Sequence, residues 1–332
     1  MNPQDSQTLE PADEMATQIK RDSQVPTDDC GRRLDQVASQ LFPEFSRSRL
    51  QQWIKQGSLT VDGNQWQPKQ KVLGGEQLII KATMVAEGEW IAEDIPLNIV
   101  YEDEHILVID KAANFVVHPA AGNYTGTVLN ALLFHCPSLS HVPRAGIVHR
   151  LDKDTTGLMV VAKTLEAHTH LVAQLQARSV KRLYQAVANG LLTGSGVVDQ
   201  PIGRHPRQRI KMAVVSDGKE ARTHYSVLQR FHGHSHIKLQ LETGRTHQIR
   251  VHMAHLNHPL VGDSLYAGRF KIQKGTSAEF IDFLRNFERQ ALHAAELALI
   301  HPHTGEEVSW SSPLPADFEA LLARLGDEQS RL

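Results

Sequence analysis

Apolar and polar positions change their spacing in steps along the chain. Residues 1–27 show no apolar period; they are polar, acidic and interrupted by proline, and are expected to form a disordered tail. A period begins after Gly31. Leu34, Val37, Ala38 and Leu41 fall at i, i+3, i+4 and i+7, one face of a helix that Pro43 ends. Ser46 is placed to cap a second helix with Leu50, Trp53 and Ile54 turned inward. Ser58-Leu59-Thr60-Val61 reads as a strand entering an Asp62-Gly63 hairpin turn, and Gln77-Leu78-Ile79-Ile80 as a further strand. The pattern predicts a compact αα-plus-β unit over residues 28–82. Residues 83–96 are acidic, end in Asp94-Ile95-Pro96 and read as a linker, and a larger domain is expected over 97–332.

In the larger domain, Ile99-Val100-Tyr101 and Ile106-Leu107-Val108-Ile109 have the character of strands. Thr127 is an N-cap for a helix carrying Val128, Leu129, Leu132 and Leu133. Two apolar runs, Gly146-Ile147-Val148 and Leu158-Met159-Val160-Val161-Ala162, read as buried strands flanking a polar turn. Thr164 caps a helix to about Arg178, and residues 181–188, 221–231 and 236–243 are strands. A helix is expected over 245–256. Thr276-x-x-Glu279 has the spacing of a capping box ahead of Phe280, Phe283, Leu284 and Phe287. Hairpins mixed with single helices indicate an α+β fold, not a doubly wound sheet.

Composition narrows the class. At 332 residues, 41% hydrophobic and 22% charged, the chain reads as an ordinary soluble protein of about two domains. No apolar run is long enough to span a membrane, and the N-terminus lacks the apolar core of a secretory signal. Cys30 and Cys136 are the only cysteines, too few for a disulfide framework or a zinc set, so a reducing cytoplasm fits. The net charge of -2 hides sorted charge. Residues 1–30 hold seven acids against two bases, residues 31–81 eight bases against four acids, and residues 201–252 ten Lys/Arg against three acids. Two basic blocks separated by acidic ones predict an electropositive face and a polyanionic partner.

The chemistry concentrates in the polar turn, His149-Arg150-Leu151-Asp152-Lys153-Asp154-Thr155-Thr156-Gly157. A guanidinium two residues before a carboxylate, on a turn held by sheet, suggests carboxylate chemistry on a polyanion without metal or nucleotide cofactor. No glycine-rich phosphate loop occurs. His232, His234 and His236, and likewise His252, His255 and His258, have a spacing that could bring three imidazoles together. Neither HExxH nor CxxC accompanies them, so no metal site is expected.

The segment from Gly146 through that turn to Leu158 resembles the catalytic motif of the RluA/RluD family of rRNA pseudouridine synthases. The run Leu241-Glu242-Thr243-Gly244-Arg245-Thr246-His247-Gln248-Ile249-Arg250-Val251-His252 resembles that family's second block, and Leu292-His293-Ala294-Ala295-Glu296-Leu297 its C-terminal strand. The N-terminal unit resembles an S4 RNA-binding domain. The resemblance extends from about Cys30 to the C-terminal region.

It implies a catalytic domain with a mixed, largely antiparallel sheet flanked by helices, and conversion of uridine to pseudouridine without a cofactor. Asp152 would be the catalytic carboxylate, acting at C1′ or C2′. Arg250 would be its partner, offsetting the effect of burial on the carboxyl group. Arg150 would fill the gap left by a flipped nucleotide, and Tyr184 would stack on the target base and is a candidate for removing the C5 proton. Arg245, expected on another face of the 245–256 helix, is assigned to substrate RNA, and His149 is placed with the substrate-binding residues in a supporting role. Arg32, Arg33, Arg47, Arg49 and Lys55 would grip phosphates from the S4-like unit. The implied partner is large-subunit rRNA or a ribosomal assembly intermediate, met by a monomer. A related synthase acting on tRNA or other rRNA sites, a non-catalytic assembly factor and a histidine-based metal hydrolase are the competing readings.

Overall fold

The computed structural model describes residues 17–45, 47–84, 90–119, 124–208, 210–268 and 273–331. The chain divides after residue 89 into two compact units.

The first unit contains strand β1 (Thr17–Gln24), helices α1 (Leu34–Leu41) and α2 (Arg47–Gln56), and strands β2 (Leu59–Val61) and β3 (Gln77–Met84). The strands form an antiparallel sheet in the order β1-β3-β2. Leu34, Val37, Leu50, Ile54, Leu59, Val61, Leu78 and Ile80 are fully buried, so the predicted faces of both helices and strands do meet. One expectation changes. Residues 17–24 are not part of a structureless tail: they pair with β3 along its whole length, their backbone groups satisfied by the ladder despite a polar sequence. The expected cap at Ser46 and the tail over residues 1–16 lie outside the described residues.

The second unit is built on a nine-stranded sheet. Its elements are β4 (Ile99–Glu102), β5 (Ile106–Lys111), α3 (Val128–His135), β6 (Thr156–Ala162), α4 (Leu165–Gln176), β7 (Lys181–Asn189) and β8 (Gly196–Asp199). They continue with β9 (Ile202–Arg204), β10 (Met212–Val214), β11 (Arg222–Phe231), β12 (His234–Leu241), α5 (Gln248–His255), α6 (Ala278–Arg285), β13 (Leu292–Ile300), β14 (Glu307–Ser311) and α7 (Ala316–Arg331). The strand order is β4-β5-β6-β13-β7-β12-β11-β8, with β14 added to β13, while β9 and β10 pair apart. Among the described strands only β6 and β13 run parallel, in register at Thr156 with His293 and Gly157 with Ala294.

Alternation along the strands sends side chains to two cores. Met159 and Val161 of β6, Tyr184 and Ala186 of β7 and Leu292 and Ala294 of β13 join α3 and α5 on one face. Leu158, Val160, Leu297 and Leu299 face the other way and pack on α4. Further along that second face, Val187 meets α6 and α7 through Phe280, Leu284, Phe318 and Leu321.

Several local expectations are corrected. Gly146-Ile147-Val148 is not a strand. A 3-10 turn ends at Gly146, and Arg144, Ala145 and Gly146 are consecutive left-handed residues with φ of 54°, 50° and 76°. Ile147 makes only an isolated bridge to Val161. The segment after residue 89 is no free linker: Trp90 packs edge-on to His118, Asn130 Nδ2 donates to the Ile91 carbonyl, and Glu93 accepts from Gly126 N–H. Helix α6 is capped by Ser277, not Thr276. The helix expected over 245–256 begins only at Gln248, leaving Arg245 in the preceding turn.

Candidate active site

The loop between His149 and Thr155 enters β6 beside the parallel β6–β13 junction and is pinned from beneath. Lys111 Nζ donates to the Lys153 carbonyl at 2.8 Å and to the carbonyls of Ala112 and Phe115. Phe115 N–H also donates to Lys153. Gln290 Nε2 donates to Thr155 Oγ1, and Thr156 Oγ1 bonds His293 Nδ1. His149 Nε2 accepts from Val160 N–H, so this histidine pegs the loop to β6. Burial, then the Arg182 charge, holds its pKa down to about 3, and it stays neutral.

Above this floor lies a cavity of about 450 Å³, lined among others by Arg150, Asp152, Arg182, Tyr184, Arg245, His247 and Arg250. Asp152 and Arg250, 98 positions apart, meet here: Arg250 Nη1 donates to Asp152 Oδ2 at 3.0 Å. The other edge of the guanidinium is held by Asp263, with Nε to Oδ2 at 2.7 Å and Nη2 to Oδ1 at 2.9 Å. Asp263 is itself fixed by the N–H groups of Leu265 and Tyr266. Burial alone would push the Arg250 pKa down, but the bonds and charges of Asp263 and Asp152 outweigh it and raise it. Arg250 is therefore a permanent cation shared between two carboxylates, one structural and one facing the cavity.

The second oxygen of Asp152 faces His247, with Oδ1 3.9 Å from Nε2. His247 is a left-handed residue (φ 56°) at the start of α5. Its Nδ1 lies 2.8 Å from the Tyr266 hydroxyl, which already accepts from Met212 N–H at 2.9 Å. This contact orients the ring and turns Nε2 toward Asp152. Burial lowers the His247 pKa, which favours the neutral imidazole. The Tyr266 ring also lies beneath Arg250, 5.1 Å from centroid to guanidinium carbon.

Tyr184 projects from β7 into the cavity and is 5% exposed. Burial raises its pKa, so it remains a phenol at neutral pH. Arg150 is exposed on the cavity lining. Arg245 also lines it, but its Nε donates to the Glu220 carbonyl, which fixes it to the neighbouring segment. Gln248 locks this turn: its Oε1 accepts from Thr243 Oγ1 and Arg245 N–H, and its Nε2 donates to Arg222 O and Thr223 Oγ1.

The family resemblance pointed to Asp152, Arg250, Tyr184 and Arg150, and the sequence reading added Arg245 and His149; all six line one cavity. Asp263, Tyr266 and Arg182 were missed. Arg182 was within reach, since strand alternation in Lys181-Arg182-Leu183-Tyr184 puts it on the same face as Tyr184.

The histidine runs disperse. His232 bonds the Lys274 carbonyl, His236 bonds Gln185, His252 bonds Thr223 and the Gln200 carbonyl, and His258 bonds the Asn189 carbonyl. Among the described residues no group of three or more His, Cys, Asp or Glu side chains could hold a metal ion. In the first unit, Arg33 and Arg47 both bind the buried Asp35, which Gln51 also contacts, and Arg32 pairs with Asp29. Arg49 lies over the Trp53 ring, and Lys55 is exposed.

The arginine-clamped carboxylate stands on a mixed sheet in a chain whose two units both match known families, and those matches define an RNA pseudouridine synthase, an isomerase. Residues 105–255 match the family model for RNA pseudouridylate synthase, and residues 32–78 that for the S4 domain. The chain is 61% identical over 315 residues to ribosomal large subunit pseudouridine synthase D of Pseudomonas aeruginosa, covering 95% of this chain and 98% of that protein. It is 55% identical over 312 residues to the protein of the same name from Vibrio vulnificus, covering 94% and 96%. Among solved structures, human RNA pseudouridylate synthase domain containing 4 aligns with a TM-score of 0.55 at 26% identity, over 69% of this chain and 93% of that one. The chain belongs to the RNA pseudouridylate synthase family. No helix among its described residues is long and apolar enough to cross a membrane.

Proposed function

We propose that this enzyme isomerises uridines in 23S large-subunit rRNA, in the hairpin loop at the intersubunit bridge, as a cytoplasmic monomer without metal or coenzyme. The names of its relatives support the rRNA address. One observation carries the catalytic reading: Asp152, on the cavity lining, has one oxygen held by Arg250 while the other stands 3.9 Å from His247 Nε2, beyond hydrogen-bond distance. Orienting the carboxylate through one oxygen leaves the second to act on the ribose of an extruded nucleotide. Arg150, exposed at the lining, takes the place of the extruded base, Tyr184 stacks against that base, and the first unit contributes phosphate contacts through Arg32, Arg33, Arg47, Arg49 and Lys55.

The test is Asp152→Asn, which keeps shape and removes the nucleophilic charge. Pseudouridine formation on a large-subunit rRNA transcript falls to background while RNA affinity stays within about threefold. Turnover at the wild-type rate would remove Asp152 from the chemistry.

A further inference from the structure

Arg182 stands out from the other cations of the cavity. It is 7% exposed, yet among the described residues no hydrogen bond or ion pair reaches its side chain, and its Nε is fully buried without a partner. Arg250 has two carboxylates and Arg245 a carbonyl; Arg182 has neither. A guanidinium cannot shed its proton, so this is a permanent charge with its Nε sealed from water and, among the described residues, no counter-charge bonded to it. The surroundings are built around it. The guanidinium passes over Gly244, where even a Cβ would stand 2.8 Å from Nη1. Two residues along the same strand, on the same face, is Tyr184.

We propose that Arg182 is a catalytic residue that donates hydrogen bonds to a carbonyl oxygen of the target uracil and stabilises the negative charge arising there when the glycosidic bond breaks. In that step the N1–C1′ bond cleaves, and its electron pair leaves with the base and spreads onto the carbonyl oxygens. The base then turns, C5 bonds to C1′, the C5 proton is lost and N1 gains one, so atoms and electrons balance without an oxidant or co-reactant. A charged donor fixed in a dry pocket is most effective where charge appears only in the transition state. Depth decides between base and phosphate. Phosphates stay with the RNA backbone at the rim, where Arg150 is exposed, whereas Arg182 lies about 7 Å along the strand from Tyr184, within reach of the edge of a base lying on that ring.

The inference rests on the pseudouridine synthase reading, and the experiment separates the two. Arg182→Met and Arg182→Lys are compared with the wild type on a large-subunit rRNA transcript by single-turnover rate at saturating enzyme, RNA affinity against salt, and thermal melting of the free protein. Arg182→Met is expected to lower the single-turnover rate by about 10²–10³-fold, leave affinity and its salt slope unchanged, and raise the melting temperature, because an uncompensated buried charge is gone. Arg182→Lys is expected to recover part of the rate. A wild-type rate in Arg182→Met overturns the proposal. So does a shallower salt slope with an intact saturated rate, which marks a phosphate contact, or a lower melting temperature, which marks a structural role. A wild type that leaves the transcript unmodified counts against the rRNA address, and a lower melting temperature in Arg182→Met then still counts against the Arg182 proposal.

Discussion

Lys111 brings a charge to the underside of the catalytic loop. It is 1% exposed, and its three carbonyl partners match the three N–H groups of an ammonium. Burial pulls its pKa from 10.5 down to about 7, with Asp154 and Asp152 opposing the shift. The folded state therefore releases a proton near pH 7 that the unfolded chain keeps until about 10.5, and this residue's contribution to stability rises with pH across that window. Urea unfolding from pH 7 to 10 should show wild type gaining on Lys111→Met by up to about 1.4 kcal/mol per pH unit. A difference that stays flat would mean the lysine does not titrate there. At pH 7 the variant itself should lose about 2–4 kcal/mol, since three buried carbonyls lose their donor. None of this was legible beforehand, for Lys111 looks like any strand-end lysine. What was legible at this scale were residues inside dense blocks, such as Asp152 and Arg250. Asp263 and Tyr266 acquire meaning only through contacts made by separate segments.

Among the elements, the β6–β13 pair sets the tightest constraint. Gly157 has φ of 110°, and a Cβ there would lie 2.3 Å from the Ala294 carbonyl oxygen, an atom of the partner strand's backbone. Gly157→Ala should cost about 2–4 kcal/mol through combined backbone strain and overlap. Denaturation midpoints will measure it, and a loss below about 1 kcal/mol would mean that β13 shifts easily. Strands with clear alternation or long apolar runs, β5, β6 and β7, were readable because period and burial agree. The run Gly146-Ile147-Val148 was not: three apolar residues fit a strand or a buried turn equally well, and the left-handed conformations of Arg144 and Ala145 leave no trace in hydropathy. Strand β1 was missed for the opposite reason, its polar side chains concealing a backbone that pairs throughout.

For the whole molecule, two units divide the work. The second unit's hydrophobic clusters are made of its own residues, so deleting residues 1–89 should leave it folded. RNA binding should weaken and its salt dependence flatten, because the slope scales with the number of phosphates neutralised, while the saturated rate changes little. Unchanged affinity in filter binding across a salt series would remove the first unit from recognition. The α+β class and the presence of two units followed from local patterns, but strand order did not, because β13 seats itself between β6 and β7 from far along the chain. That placement has a cost during synthesis. The ribosome makes the middle of the sheet after both of its halves, so a polypeptide cut short ahead of Leu292 holds two sheet fragments with bare inner edges. Truncated products of this gene should be catalytically silent, prone to clump and quickly degraded.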